Sequence, residues 1–432
     1  GERFHMLQCD RLHPVLVTHS VPPPPTSSVA STSSNKGALQ HIQHIVADNA
    51  LSVTVVAHGP KGSPRQVTLF QRTQPIATLV DITPSKEWTI VDMMHLGTIK
   101  ITIPSGEKKG KKENAALCGV ILSKGLPLPD DGVPVVGQDD DMSSSESEES
   151  DNESDNEEKA TKEKSLASTS RGQVVLCVAS RTSLFIYKRI DLSKMPTFCP
   201  RVAVHPPTYV NKIVIGGACS KTGKVAMILL NVRTGQLIHT FKCLDGVATT
   251  SRSSKEKVEI SCLEAAPALD TIAVGTSKGT VHLVNTRLDV LLFSLRHTSK
   301  NGRATRITSM SFRTDGAAMH YGIAPLAVGR SDGTISIWDL TPPEDDIEVG
   351  EVVQGGRTLL CEMERAHYPG GVHKLQYMPQ EPLLLSTGTQ SNSIVMHIFD
   401  NPDHSGRILK QRKGHTSPPS CIRYLHPGAG AG

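Results

Sequence analysis

The sequence contains few aromatic residues, no Cys-x-x-Cys motif and no long apolar run, and each absence excludes a class of protein. Aromatics make up 4% of the 432 residues, which disfavours a surface that stacks successive nucleic-acid bases. The nine cysteines show no metal-type spacing with histidine, which argues against zinc and favours a reducing, intracellular compartment. No stretch approaches the roughly 18–20 apolar residues that cross a bilayer, so we expect no membrane segment.

The sequence also shows no catalytic motif of the common kinds. Two Gly/Lys-rich stretches, 216–217 and 221–224, fall in strand and hairpin sequence rather than before a helix, so neither reads as a phosphate loop. The Asp-Gly pairs at 315–316 and 332–333 fit hairpin turns better than acid catalysis. We therefore predict a protein that is not an enzyme, with no cofactor and no small-molecule substrate.

A strand-and-turn unit recurs in the second half of the chain. The stretches 331–340 (SDGTISIWDL) and 277–285 (SKGTVHLVN) share one order: a polar residue, a glycine turn, an alternating strand and a short acid or amide. Looser copies lie at 224–231 and 394–400. Short β-branched runs between glycine-containing turns are typical of strands rather than buried helices.

The spacing of these units indicates the architecture. The interval from Asn231 to Asn285 equals that from Asn285 to Asp339, so the register recurs as well as the composition. Repeats of about 40–45 residues with four strands and a terminal Trp-Asp mark WD40 blades. We predict an all-β, WD40-type β-propeller, either partial or the first of two in tandem, with an extended loop in each blade.

We divide the chain into four parts. Residues 1–104 hold the first blades, with a truncated start and a Pro/Ser-rich loop near 22–36. Residues 105–172 form a low-complexity insertion, 173–425 the remaining WD40 blades and 426–432 a Gly/Ala tail. Within the first part, 89–95 and 98–103 read as two strands of a blade that 174–179 and 184–188 complete.

The insertion combines basic and acidic low-complexity sequence. It is basic at 108–112, strand-like at 116–122, and acidic and serine-rich from 139 to 151. A run of like charges repels itself and buries no apolar surface, so we expect a disordered loop; the alternative is a contact site for basic proteins or a chaperone. Four serines have an acid three residues later, which suits acidophilic kinases, and are candidate phosphorylation sites: Ser143, Ser145, Ser150 and Ser154.

Several residues of the propeller pattern are expected to be structural. His297, His367 and His415 each precede the inner strand of the next blade, where a buried histidine can hydrogen-bond a turn aspartate and a strand hydroxyl. The turn and strand-end residues Asp315, Trp338 and Asp339 complete this set. We assign all six to packing and hydrogen bonding rather than to catalysis.

Basic residues in two places are candidate contacts to RNA phosphates. Arg303 and Arg306 flank the start of one inner strand, and a second group lines an outer strand: Arg407, Lys410, Arg412 and Lys413. The alternative is ordinary solvated charge. The net charge of +4 is too small for a polycation that coats nucleic acid.

Four sequences go beyond the generic propeller pattern. Residues 203–213 (AVHPPTYVNKI), 311–316 (SFRTDG), 381–384 (EPLL) followed by 398–400 (IFD), and 414–424 (GHTSPPSCIRY) resemble the amino-terminal propeller of the WD repeat-containing protein 36 family, called U-three-protein twenty-one in yeast nomenclature. The resemblance implies a non-catalytic scaffold subunit of the small-subunit processome, acting in pre-rRNA processing and small ribosomal subunit biogenesis in the nucleolus of the nucleus.

The same resemblance implies the partners. They would be other WD40 subunits of the processome subcomplex, together with the U-three small nucleolar ribonucleoprotein and pre-rRNA, these two mostly through indirect contacts. The repeats by themselves equally permit a generic WD40 adaptor, such as a ubiquitin-ligase substrate receptor or a chromatin-peptide reader.

Overall fold

A computed structural model describes fifteen segments of the chain: residues 3–9, 14–20, 41–48, 50–60, 62–71, 74–103, 111–125, 170–245, 258–296, 305–315, 324–341, 358–379, 381–400, 406–413 and 418–422. These segments contain strands and turns and no helix. The prediction of an all-β propeller is confirmed: six four-stranded sheets form the blades, beside one two-stranded hairpin.

Each blade is a meander in which every strand pairs antiparallel with the next along the chain. The hairpin pairs β1 (Arg3–Cys9) with β2 (Pro14–Ser20). The first sheet contains β3 (His41–Asp48), β4 (Val53–Gly59), β5 (Gln66–Gln71) and β6 (Gln74–Leu79). The second contains β7 (Trp88–Ile103), β8 (Lys111–Lys124), β9 (Gly172–Ala179) and β10 (Leu184–Asp191). The third contains β11 (Phe198–Val204), β12 (Lys212–Cys219), β13 (Val225–Asn231) and β14 (Leu237–Thr240).

The remaining three sheets follow in the same order. The fourth contains β15 (Ile260–Ala265), β16 (Thr271–Thr276), β17 (Thr280–Asn285) and β18 (Val290–Arg296). The fifth contains β19 (Ile307–Phe312), β20 (Leu326–Arg330), β21 (Ile335–Asp339) and β22 (Thr358–Met363). The sixth contains β23 (Val372–Tyr377), β24 (Leu383–Gly388), β25 (Ser393–Ile398) and β26 (Arg407–Lys413).

The apolar core lies between neighbouring blades rather than within one blade. Leu69 and Val120 belong to the core between the first and second sheets, and Phe399 belongs to the core between the fifth and sixth. Every residue of β4 and of β9 is buried. These are middle strands of their sheets, and other blades cover both of their faces. This explains why the middle strands read as continuous apolar runs rather than as alternating ones.

The first strands of successive sheets contact one another side by side but do not form a sheet. Their edge N–H groups therefore need other acceptors, and polar side chains supply them. Asp92 Oδ2 accepts from the Ala203 N–H at 2.8 Å, joining the second and third sheets. Ser309 Oγ accepts from the Leu375 N–H and Ser311 Oγ from the Tyr377 N–H, both at 3.0 Å, joining the fifth and sixth.

The second sheet differs from the expected strand assignment. The two strands expected at 89–95 and 98–103 are one 16-residue strand, β7, and its partner β8 lies inside the predicted insertion. The register shifts between His95 and Gly97, and Gly97 has a φ of 119°. This β-bulge interrupts the alternation of apolar and polar residues along the strand, and the interruption resembles a turn in the sequence. Of the expected insertion, residues 105–110 and 126–169, which include the four serines, lie outside the described residues.

A short segment near the end connects the sixth sheet to the first. Cys421 packs against the cluster formed by Ile42, Val56 and Phe70 of the first sheet, while Ile422 packs with Met396 of the sixth. The hydroxyl of Ser420 also donates a hydrogen bond to the carbonyl oxygen of Ile42. Residues 418–422 therefore bridge the first and last of the six blades.

Candidate functional site

In the fifth sheet the expected Trp-Asp pair lies at the end of β21. The Trp338 side chain is 8% exposed, and its indole Nε1 donates to Ser336 Oγ at 3.0 Å. The Asp339 carboxylate accepts from the Thr341 N–H at 2.9 Å and from its hydroxyl at 2.7 Å, which fixes the turn that follows. Both residues thus stabilise the blade.

Three further charged residues in and beside the fifth sheet are buried: Arg313, Asp315 and Arg330. Asp315 forms a two-point ion pair with Arg313, at 2.6 and 2.8 Å. Arg330, with 2% of its surface exposed, donates to Ser336 Oγ at 3.3 Å and lies 3.7 Å from a Glu362 carboxylate oxygen. Burial lowers the pKa of the Arg330 guanidinium, although Asp332 and Glu362 oppose the shift. Since Arg313, Asp315 and Arg330 are buried, these interactions hold the fifth sheet together.

The sixth sheet contains a buried histidine–serine–histidine network. Ser386 Oγ lies 2.8 Å from His367 Nε2 and 2.9 Å from His397 Nε2. Burial lowers the pKa of both rings to about 4, so both are neutral at pH 7. Both imidazole rings are enclosed and have no access to solvent, so they hold the strands in position. They do not exchange protons with a substrate.

Sequence reasoning missed His397. It pairs with Leu384 on β24 as Trp338 pairs with Leu326 on β20, so it takes the place of the tryptophan in the sixth blade. The alternating run that ends in Phe399 and Asp400 was the signal that could have located it.

Three of the predicted site residues, His297, Arg303 and His415, lie outside the described residues.

One catalytic motif was missed in the sequence, and the fold around it is not the one that the motif requires. Residues 275–279 (GTSKG) match the G-x-S-x-G pattern of hydrolases, which requires a strand-to-helix turn. Here they form the hairpin between the antiparallel strands β16 and β17, and Ser277 Oγ accepts from the Glu259 N–H at 3.0 Å. The serine is thus part of a turn.

No group of three or more metal-ligating side chains occurs in the described segments, and no helix long enough to span a membrane occurs there either.

The basic outer strand, β26, is the most exposed element with a candidate role in binding. All seven of its residues are exposed, and it forms the outer edge of the sixth sheet. Arg407 pairs with Asp400 at 2.6 Å, but no described carboxylate lies within ion-pairing distance of Lys410, Arg412 or Lys413. These three cations are therefore available to an external anion.

The neighbours of β26 define what it can bind. Lys410 and Arg412 pair with Met396 and Ile394, so both cations project from the same face of the sheet. The strand contains no aromatic residue, and Ile408 and Leu409 are its exposed apolar side chains. Such a surface can contact phosphates but offers no ring on which a base could stack.

Arg306 does not join this surface. It directly precedes β19, the innermost strand of the fifth sheet, whereas β26 is the outermost strand of the sixth. Burial raises the pKa of the Cys262 thiol to about 12, and the positive charges of Lys374 and Arg306 partly oppose this rise. The described members of the two basic groups thus occupy separate places in the fold.

Comparison with known proteins identifies the family. The family model described as the WDR36/Utp21 first beta-propeller matches residues 142–400, more than half of the chain. Human WD repeat-containing protein 36 is 33% identical over 221 residues, covering 51% of this chain and 20% of that protein.

Two yeast proteins are also similar. The U3 small nucleolar RNA-associated protein 21 homolog of Schizosaccharomyces pombe is 28% identical over 261 residues, covering 58% of this chain and 24% of that protein. U3 small nucleolar RNA-associated protein 21 of Saccharomyces cerevisiae is 30% identical over 273 residues, covering 58% and 25%. The chain spans a quarter or less of the length of these relatives. Together with the propeller fold, the match over residues 142–400 shows that the chain belongs to the WDR36/Utp21 first beta-propeller family.

Proposed function

We propose that this propeller belongs to a non-catalytic scaffold subunit of the small-subunit processome that acts in pre-rRNA processing. The family match over 142–400 carries the proposal, since two of the relatives are named for association with U3 small nucleolar RNA. The protein would work in the nucleolus, beside other WD40 subunits, with U3 and pre-rRNA bound largely through its neighbours.

The geometry supports a scaffold rather than an enzyme. His367 and His397 of the sixth sheet are buried and neutral, and Ser277 is part of a hairpin. Rigid blades present several modest surfaces at fixed spacing, so binding at one raises the effective concentration at the others. No single polar substitution should then abolish the function.

We further propose that the basic outer strand contributes a direct but weak contact to RNA phosphates. Three cations that pair with no described carboxylate lie on an exposed edge and can displace counterions. Each phosphate contact to single-stranded RNA adds about 0.7 to the salt dependence of binding. The triple variant Lys410→Glu, Arg412→Glu, Lys413→Glu should therefore weaken RNA retention and reduce the salt slope by roughly 2.

The test is purification of the tagged full-length protein followed by sequencing of the bound RNA. The expected result is co-purification of U3 and the pre-rRNA with processome proteins, and accumulation of uncleaved pre-rRNA when the protein is depleted. A matched charge-reversal control, Lys221→Glu with Lys224→Glu on an exposed hairpin of the third sheet, should leave RNA retention unchanged. Co-purification of a ubiquitin-ligase adaptor or histone peptides, with normal pre-rRNA cleavage, would favour the adaptor role instead.

A further inference from the structure

A groove lies at the seam between the third and fourth sheets. Its volume is about 790 Å³, within the range of small-molecule and peptide sites. The turns that connect β11 to β12, β15 to β16 and β17 to β18 contribute to its walls, and Leu229 contributes a buried side chain. The proposed scaffold role does not use this groove.

Two sets of hydrogen bonds between the sheets hold the walls of the groove. Tyr209 on the third sheet bonds through its hydroxyl to Thr286 Oγ1 on the fourth at 3.0 Å. Asp289 on the fourth sheet lies 2.8 Å from His239 Nε2 and also accepts from the N–H groups of Lys242 and Cys243 at the end of β14. The groove is therefore a preformed feature of the fold rather than a gap between mobile loops.

The rim of the groove concentrates exposed apolar side chains. Leu288, Ile238 and Leu269 line it with 67%, 45% and 36% of their surface exposed. Val210 and Val290, also exposed, directly adjoin lining residues in the sequence. Single exposed apolar residues are ordinary, but a cluster around one concave site marks an interaction surface.

The charges around the groove select the partner. Lys212 and Arg287 form no ion pair with a described carboxylate, and the Lys212 ammonium lies 5.1 Å from the centre of the Tyr209 ring. Two carboxylates line the groove. Asp289 already accepts hydrogen bonds from His239 and from two N–H groups, so Asp270 is the one that remains to interact with a ligand. Two available cations against one available carboxylate favour an acidic ligand.

From this arrangement we propose that the groove binds a short extended segment of a partner protein, in which a large apolar side chain lies beside an acidic residue. The apolar side chain would pack among Leu288, Ile238 and Leu269, and the acid would pair with Lys212 or Arg287. RNA fits less well, because the two rings that line the groove are already tied between the sheets, Tyr209 to Thr286 and His239 to Asp289, and neither is free to stack on a base.

Selection of a displayed library of random short peptides on the protein tests this proposal. The enriched peptides should contain a large apolar residue next to Asp or Glu. A fluorescent copy of an enriched peptide should bind the Leu288→Asp variant at least about tenfold more weakly, and Arg287→Glu should also weaken it. Because both side chains are exposed, neither variant should change the melting temperature by more than a degree or two.

The matched control is Tyr187→Asp, which changes an equally exposed apolar side chain on β10 of the second sheet and should leave peptide binding intact. Three results would overturn the proposal: no enrichment over a parallel selection on Leu288→Asp, enrichment of basic or wholly polar peptides, or equal binding to wild type and Leu288→Asp. Displacement of the peptide by a short oligouridine would assign the groove to RNA and would equally refute it.

Discussion

Replacing Trp338 with alanine should destabilise the propeller without removing a partner contact. The indole belongs to the core between the fourth and fifth sheets, together with Phe312 and Leu326. Truncating a buried tryptophan costs about 3–5 kcal/mol, through lost transfer energy and the cavity left behind. The broken hydrogen bond adds little, since Ser336 Oγ still accepts from Arg330 Nη2. Loss of packing therefore dominates.

Thermal unfolding followed by circular dichroism measures this effect. A unit of several hundred residues loses about 1–2 °C per kcal/mol, so Trp338→Ala should melt roughly 3–10 °C lower. Trp338→Phe keeps most of the ring and loses a hydrogen bond worth about 1 kcal/mol, so its shift should be less than half as large. Because Trp88 is the other tryptophan of the sequence, a Trp88→Phe background lets fluorescence report on Trp338 alone. An unchanged melting temperature combined with loss of partner binding would show that Trp338 is a contact residue.

Three other perturbations test the fold. Burial lowers the pKa of four histidines to about 4: His58, His282, His367 and His397. Stability should fall as the pH drops from 6.5 to 4, because these rings take up protons in the unfolded chain but not in the folded one. Equal urea midpoints at pH 7 and pH 5 would contradict this. Gly217→Ala should lower the melting temperature more than Gly216→Ala, since the added Cβ would lie 2.1 Å from the Cys199 carbonyl oxygen at 217 and 3.2 Å from side chains at 216; a smaller effect at 217 would be inconsistent with this packing. Deleting 138–165 should leave the melting temperature unchanged, because the sequence predicts no strand there and loop length alters closure entropy slowly; a large drop would mean that the segment is docked.

The blades of the second half could be predicted from sequence because their signals are local. In the SDGTISIWDL stretch, Gly333 has a φ of 88°, and the turn and the alternation that follows set a hairpin within ten residues. Repetition at a constant interval then shows that one such unit stacks on the next. The family was also visible, because the loops at 203–213 and 311–316 carry residues that blade geometry does not require.

The arrangement between blades could not be predicted in this way. β8 ends at Lys124 and pairs with β9, which begins at Gly172 after the acidic stretch. Nothing in the low-complexity sequence between them indicates that these two strands pair. Arg306 directly precedes the innermost strand of the fifth sheet, whereas Lys410, Arg412 and Lys413 lie on the outermost strand of the sixth, so the fold separates them. Tyr209 and Thr286 meet from different sheets to form a wall of the groove. A strand's own residues determine that it is a strand, whereas its neighbour depends on how six sheets together bury their apolar faces.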